Sequence, residues 1–243
     1  TNDDGGTARV RLPTMTSSEQ TLAAIVDTFL PAAEGLPSAS ELGVHRRLLA
    51  EVDALDRPAI RRQLDLLVRA MSTPFGTMAL GGRPGRPTSL ADMDQAARET
   101  FMRRLGASSI GLKRTAFQDL KRLTLLLGYG IEGSPWRART GFVPPVPDPP
   151  SPSRIRVRTP GPGERGGADV VVIGSGPGGG VTAAMLAGAG KRVLVLERAA
   201  MIGEEGFGGP ELDGLGALFL DRGLAATSDR WISIRAGSAV GGG

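Results

Sequence analysis

The sequence predicts an α/β protein in two parts: a small all-α N-terminal domain, then the opening β–α–β of a doubly wound parallel unit that the chain leaves incomplete. Three observations carry this reading. Apolar residues recur at helical spacing over about residues 15–135, proline crowds residues 141–167, and two short β-branched runs flank a glycine turn and a small-residue helix after residue 168. The expected divisions are a disordered tail at 1–14, a helical domain at 15–140, a Pro-rich linker at 141–167 and the start of the α/β unit at 168–243.

Thr16 and Glu19 stand at capping-box spacing and open the first helix, where Leu22, Ile25, Val26, Phe29 and Leu30 share a face until Pro31 ends it. A second helix begins after Pro37 with Ser38 or Ser40 as cap and carries Leu42, Leu48, Leu49, Val52 and Leu55. The third has Asp56 as cap, Pro58 in its first turn, and Ile60, Leu64, Leu67 and Met71 on one face. After a Gly/Pro/Arg loop at 81–87, Ser89 and Asp92 open a fourth helix with Leu90, Met93, Ala97, Phe101 and Leu105 inward, stopped by Gly106. The fifth runs from about Ser109 to Leu127, apolar at Ile110, Phe117, Leu120, Leu123 and Leu127, with Lys113, Arg114, Lys121 and Arg122 outward and Gly128 at its end. Eight prolines between Pro144 and Pro162 then favour extended chain, and the alternating Arg154, Arg156 and Arg158 read as a solvated linker face in preference to an edge strand. The run 203–216, with Glu204, Glu205 and Asp213, reads as a surface loop, and Trp136 and Trp231 as packing residues.

Composition narrows the chemistry. With 40% hydrophobic and 22% charged residues the chain can bury a core. Zero cysteines exclude disulfides and thiolate chemistry, and the single histidine, His45, excludes a histidine-rich metal site. His45 sits beside Arg46 and Arg47 in a helix and reads as a structural or exposed residue. All but three of the 29 basic residues are Arg, yet the net charge is only +4 and acids are interleaved throughout. A nucleic-acid groove needs a clustered basic stripe with aromatics, so no nucleic-acid partner is expected. No run reaches the roughly 18–20 apolar residues of a membrane span, and no leader opens the chain, so the expectation is a cytoplasmic protein, with peripheral membrane association left open.

The densest signal lies after residue 168. Asp169–Ile173 is the kind of apolar β-branched run that parallel sheets bury, and it leads into Gly174, Ser175, Gly176, Pro177, Gly178 and Gly179, which is G-x-G-x-x-G in position. Gly174 permits the tight turn, Gly176 lets backbone approach a pyrophosphate, and Gly179 lets the next helix sit against the strand. That helix is built of small residues, and its N-terminal N–H groups and dipole suit two phosphate charges. Arg192–Leu196 is the second strand, and Glu197 closes it, 23 residues after Gly174. A carboxylate there accepts from a ribose 2′-OH and repels a 2′-phosphate, so NADP is disfavoured, while FAD and NAD both fit. The unit is Rossmann-like and dinucleotide-binding.

The same residues resemble a known family. DVVVIGSGPGGGVTAAMLAGAGKRVLVLERA, residues 169–199, resembles the FAD-binding opening of the glucose–methanol–choline (GMC) oxidoreductases. Arg222-Gly223-Leu224 through Asp229, and Gly237-Ser238-Ala239-Val240-Gly241-Gly242-Gly243, are similar to that family's R-G-L-x-x-T-x-D segment and its G-x-x-V-G-G-G motif. LAAIVDTFLPAAEGLPSA, FQDLKRLTLLLGYG and SPWRARTGF look like the N-terminal extension of its long-chain (fatty) alcohol oxidase branch. The resemblance implies FAD as cofactor, held by Gly174–Gly179 and Glu197 together with Arg198, Gly237, Val240, Gly241 and Gly242. It implies oxidation of a primary, long-chain alcohol to an aldehyde, with O2 as acceptor. A quinone or cytochrome acceptor stays open. The family's catalytic histidine and its His or Asn partner are expected beyond Gly243, and His45 matches neither. A reading from another class is a non-catalytic helical module that binds a partner or a membrane surface through Leu123–Leu127 and its flanking cations.

Overall fold

A computed structural model of the chain describes residues 15–81, 88–143, 155–203, 206 and 211–242. The expected tail 1–14, most of the loop 81–87, linker residues 144–154 with Arg154, and Glu204, Glu205 and Gly243 lie outside the described residues.

The first helix, α1 (Ser17–Phe29), forms as its sequence dictates: the Glu19 amide donates to Thr16 Oγ1 at 3.2 Å and the Thr16 amide donates to Glu19 Oε2 at 2.9 Å, closing the capping box. Helix α2 (Val44–Ala54) starts later than its serines suggest. Ser38 and Glu41 cap each other in a turn, Ser40 donates to Asp27, and Gly43 at φ +75° resets the chain before α2 begins. Helix α3 (Pro58–Met71) has Arg57 at its N-cap, without a side-chain cap, because Asp56 stands in left-handed backbone at φ +49°. Helix α4 (Pro74–Leu80), capped by Thr73, and the short α7 (Pro135–Arg139) escape the periodicity, being too brief to show one. Ser89 and Asp92 belong to a single 3-10 turn at Leu90–Asp92; the true cap of α5 (Gln95–Gly106) is Asp94, which accepts from the Ala97 amide at 2.8 Å.

The long helix α6 (Gly111–Gly130) passes through Gly128 instead of stopping there. A Cβ at Gly128 would lie 2.4 Å from Leu30 Cδ2, so this glycine is where α6 and the end of α1 touch. Between them, α1 and α6 organise two cores. Leu22 and Ile25 face one with Val68, Met71, Leu90, Phe101, Met102, Leu105 and Leu120; Val26 and Leu30 face the other with Val44, Leu48, Val52 and Leu127. Leu120 and Leu127 are buried and Leu123 packs on the second core, so the sticky face expected at Leu123–Leu127 is spent inside the domain.

Beyond the linker, β1 (Val170–Ile173), α8 (Pro177–Gly188) and β2 (Val193–Leu196) make a β–α–β unit whose strands pair in parallel, Val170 with Val193 through Ile173 with Leu196. Strands of this kind are buried in a complete parallel sheet; in this two-stranded one Val171, Ile173, Leu194 and Leu196 are exposed, as are Val181 and Met185 of α8. Residues 155–160 belong to no strand or helix. Part of the expected surface loop is helical instead: α9 (Glu211–Leu218) sends Leu212 into the second core, where it meets Gly130 of α6. Trp136 packs as expected, donating to Pro37 O at 2.8 Å, whereas Trp231 is exposed.

Candidate functional site

The glycine turn sits at the C-terminal end of the two strands. Gly174, at φ +91°, donates its amide to Leu196 O at 2.8 Å, which ties the turn to the end of β2. Gly176 then caps α8 with Pro177 in the first turn, and the opening amides of α8 lie at the strand ends, where they have no intrahelical acceptor. At Gly179 a Cβ would lie 2.0 Å from Gly174 O and 3.4 Å from Val172 Cγ1. Only glycine permits α8 to rest on β1 at this separation. A Cβ at Gly176 would meet no protein atom within 4 Å, so nothing within the chain demands glycine there.

Glu197 lies at the same edge, directed into the turn. Its Oε2 accepts from the Ser175 amide and the Ser175 hydroxyl, both at 2.8 Å, and its Oε1 accepts from the amides of Arg198 at 2.7 Å and Ala199 at 2.8 Å. A carboxylate offers about four lone-pair sites, and four donors take them. These bonds, the Ala199 amide foremost and then Ser175, pull the Glu197 carboxyl down to about 2, so it is ionised across the neutral range. The backbone of Arg198 therefore serves the carboxylate, while its side chain is exposed.

The second glycine segment comes to the first. The Gly241 amide donates to Ser175 Oγ at 2.9 Å, the Val240 amide donates to Ala200 O at 3.0 Å, and a Cβ at Gly242 would lie 3.1 Å from Gly176 Cα. Gly241 and Gly242 both have left-handed backbone, φ +96° and +76°. Gly237 lies one strand-length back, bridged to Phe219. Ser175 is thus the hinge pin between the two motifs, giving its proton to Glu197 and accepting from Gly241. Sequence position alone marks it only as the variable residue of the turn. His45 lies in the helical domain, buried on α2, with neither ring nitrogen hydrogen-bonded among the described residues; it is not exposed. Among the described residues no cluster of three or more His, Asp or Glu is placed to hold a metal, and no helix is long and apolar enough to cross a membrane.

Comparison with known proteins finds likeness to plant enzymes over a limited stretch. The chain is 48% identical over 75 residues to long-chain-alcohol oxidase FAO4B of Arabidopsis thaliana, 47% over 75 residues to FAO4A and 43% over 75 residues to FAO1 of the same plant. Each match covers 31% of this chain and spans about 10% of the relative's length. No protein-family model matches the chain, and no solved structure matches it significantly.

Proposed function

We propose that this chain forms the cofactor-binding part of an FAD-dependent GMC alcohol oxidase acting on a primary, long-chain alcohol. The likeness to long-chain-alcohol oxidases supports an alcohol oxidoreductase in general, and the single observation that carries the cofactor is the meeting of two glycine segments at one strand edge. The residues present fit a dinucleotide. Gly179 lets α8 bring its N-terminus to the strand ends, Gly174 turns the chain there, and Gly241 and Gly242 add a second stretch of side-chain-free backbone against Ser175 and Gly176. Glu197 stands where an adenosine ribose is held in such units, and its negative charge favours a free 2′-OH over a 2′-phosphate.

FAD, when bound, supplies a two-electron acceptor that takes hydride from the alcohol carbon as the aldehyde forms, with O2 as the final oxidant. This chain's own share is to bind and orient. Backbone amides at the start of α8 would hold the pyrophosphate, the carboxylate of Glu197 would accept from the ribose, and the glycines of the second motif keep side chains out of the approach. No histidine stands at the turn among the described residues, so proton abstraction from the alcohol is assigned to residues outside this site. Titration of the purified chain with FAD, ADP, NAD and NADP tests the reading. FAD and ADP should compete for one site while NADP binds more weakly; preferential binding of NAD, with no displacement by FAD, would overturn it.

A further inference from the structure

Backbone strain in this molecule gathers in one place. Among the described residues the non-glycine residues with positive φ are Asp56, Asp221, Arg222 and Arg230; the last three pair with the helical domain across its seam with residues 211–242, and Asp56 directly precedes Arg57, which reaches over that seam. Asp221 and Arg222, at φ +48° and +55°, are followed by Gly223 at +71°, a left-handed run of three. L-residues hold such a run only where their surroundings impose it.

The helical domain supplies that constraint. Arg57, next to Asp56, donates to Asp221 Oδ1 at 2.6 Å, and Glu51 of α2 accepts from Arg222 at 3.0 Å. Arg122 of α6 donates to Leu224 O at 2.9 Å, and Asp119 stands 3.6 Å from Arg230. The run in turn sets the path of the C-terminal segment. Leu220 donates to Ala236 O at 2.8 Å and Ser238 donates to Leu218 O at 2.7 Å, a short antiparallel clasp that delivers the chain at Val240–Gly242 onto Ala200, Ser175 and Gly176.

We propose that Glu51 and Arg57 are positioning residues for the cofactor turn: by pinning the left-handed run 221–223 they fix the register of 218–220 against 236–238 and so hold Gly241 and Gly242 against Ser175 and Gly176. The helical domain is then a splint for the cofactor turn, acting on it through residues 221–238. The effect on affinity rests on the FAD reading above; the mechanical link does not. The test uses the whole chain with Arg57→Asp, Glu51→Arg and the exchanged pair Arg57→Asp/Asp221→Arg. Hydrogen exchange is followed at amides 237–242 and in α1 and α6, beside fluorescence titration with FAD. Each single reversal should speed exchange at 237–242 about five- to tenfold, leave α1 and α6 protected and weaken FAD binding by a similar factor, and the exchanged pair should restore both. Should Glu51→Arg also unprotect α1 and α6, the solvent-facing Arg57–Asp221 pair decides the matter. Unchanged exchange at 237–242 in Arg57→Asp, or no recovery in the exchanged pair, would overturn the proposal. A wild-type chain that does not bind FAD would retire the cofactor reading while exchange at 237–242 still decides the splint.

Discussion

Among single residues, Gly176 and Gly179 of the turn differ in kind. Gly179→Ala forces a methyl to within 2.0 Å of a backbone oxygen that cannot swing aside, so α8 must lift from β1; the expected loss is about 1–3 kcal/mol of stability with weaker protection of the β1–β2 amides, measured by urea melts and amide exchange. Gly176→Ala has open space and should fold normally, and any loss of FAD binding it shows reports on ligand contact alone. Glu197 carries a pH prediction. With its folded carboxyl lowered to about 2, the group keeps its charge until the pH falls toward that value, so FAD binding should not vary between pH 5 and 8 on its account, and Glu197→Gln should leave the profile's shape in that range unchanged. His45 behaves in the opposite range. Burial, with Arg46 nearby, lowers its folded value below the ordinary 6.5, although Asp27 and Glu19 pull the other way. Below about 6.5 the unfolded chain binds a proton that the native state refuses, so stability is full above that pH and falls as the pH drops. Denaturant melts at pH 5 and pH 7.5 should show this decline, and His45→Leu should flatten it.

Among the elements, α6 sets helix propensity against packing at Gly128. In an exposed helix, Gly→Ala gains roughly 1 kcal/mol. Here the added methyl meets Leu30 at 2.4 Å, so Gly128→Ala should destabilise by about 1–3 kcal/mol in a urea melt; a net gain would show that Leu30 yields without cost. The same position explains why the helix runs past its expected end. A glycine after a leucine-rich helical stretch carries the usual stop signal, and nothing local distinguishes a stop from a contact. The β–α–β unit is legible because two β-branched runs flank a glycine turn and a small-residue helix, and Gly174 and Gly179 are required by the turn's own backbone path and its packing on β1.

Across the whole molecule, the described cores belong to the helical domain and α9, and the two-stranded sheet is open. Ile173 is 87% exposed and Met185 73% exposed on the unit that carries the proposed cofactor turn. Apolar strands with free edges associate, so this chain should sediment as concentration-dependent oligomers, and Ile173→Lys with Met185→Lys should shift it toward monomer. A monomer at all concentrations before substitution would contradict this. The helical domain meets residues 211–230 through the pairs Glu51 with Arg222, Arg57 with Asp221 and Asp119 with Arg230, and through Leu212 in its second core.

Features that depend on near neighbours are written in the chain itself: the capping box at Thr16 and Glu19, the amphipathic stripes of α1, α3 and α6, the parallel β–α–β around Gly174–Gly179 and the acid at the end of β2. Each of these is a hydrogen bond or a packing period closed within a few residues or one supersecondary unit. Only the folded arrangement dictates that Gly128 and Gly130 are contacts for Leu30 and Leu212, and that Gly241 and Gly242 meet Ser175 and Gly176. The left-handed run at 221–223 is of the same kind, since its holding partners Glu51 and Arg57 stand 171 and 164 residues away from Arg222 and Asp221. Steric clearance and charge pairing act through space, so a pattern read along the chain has no term for them until the fold brings the partners together.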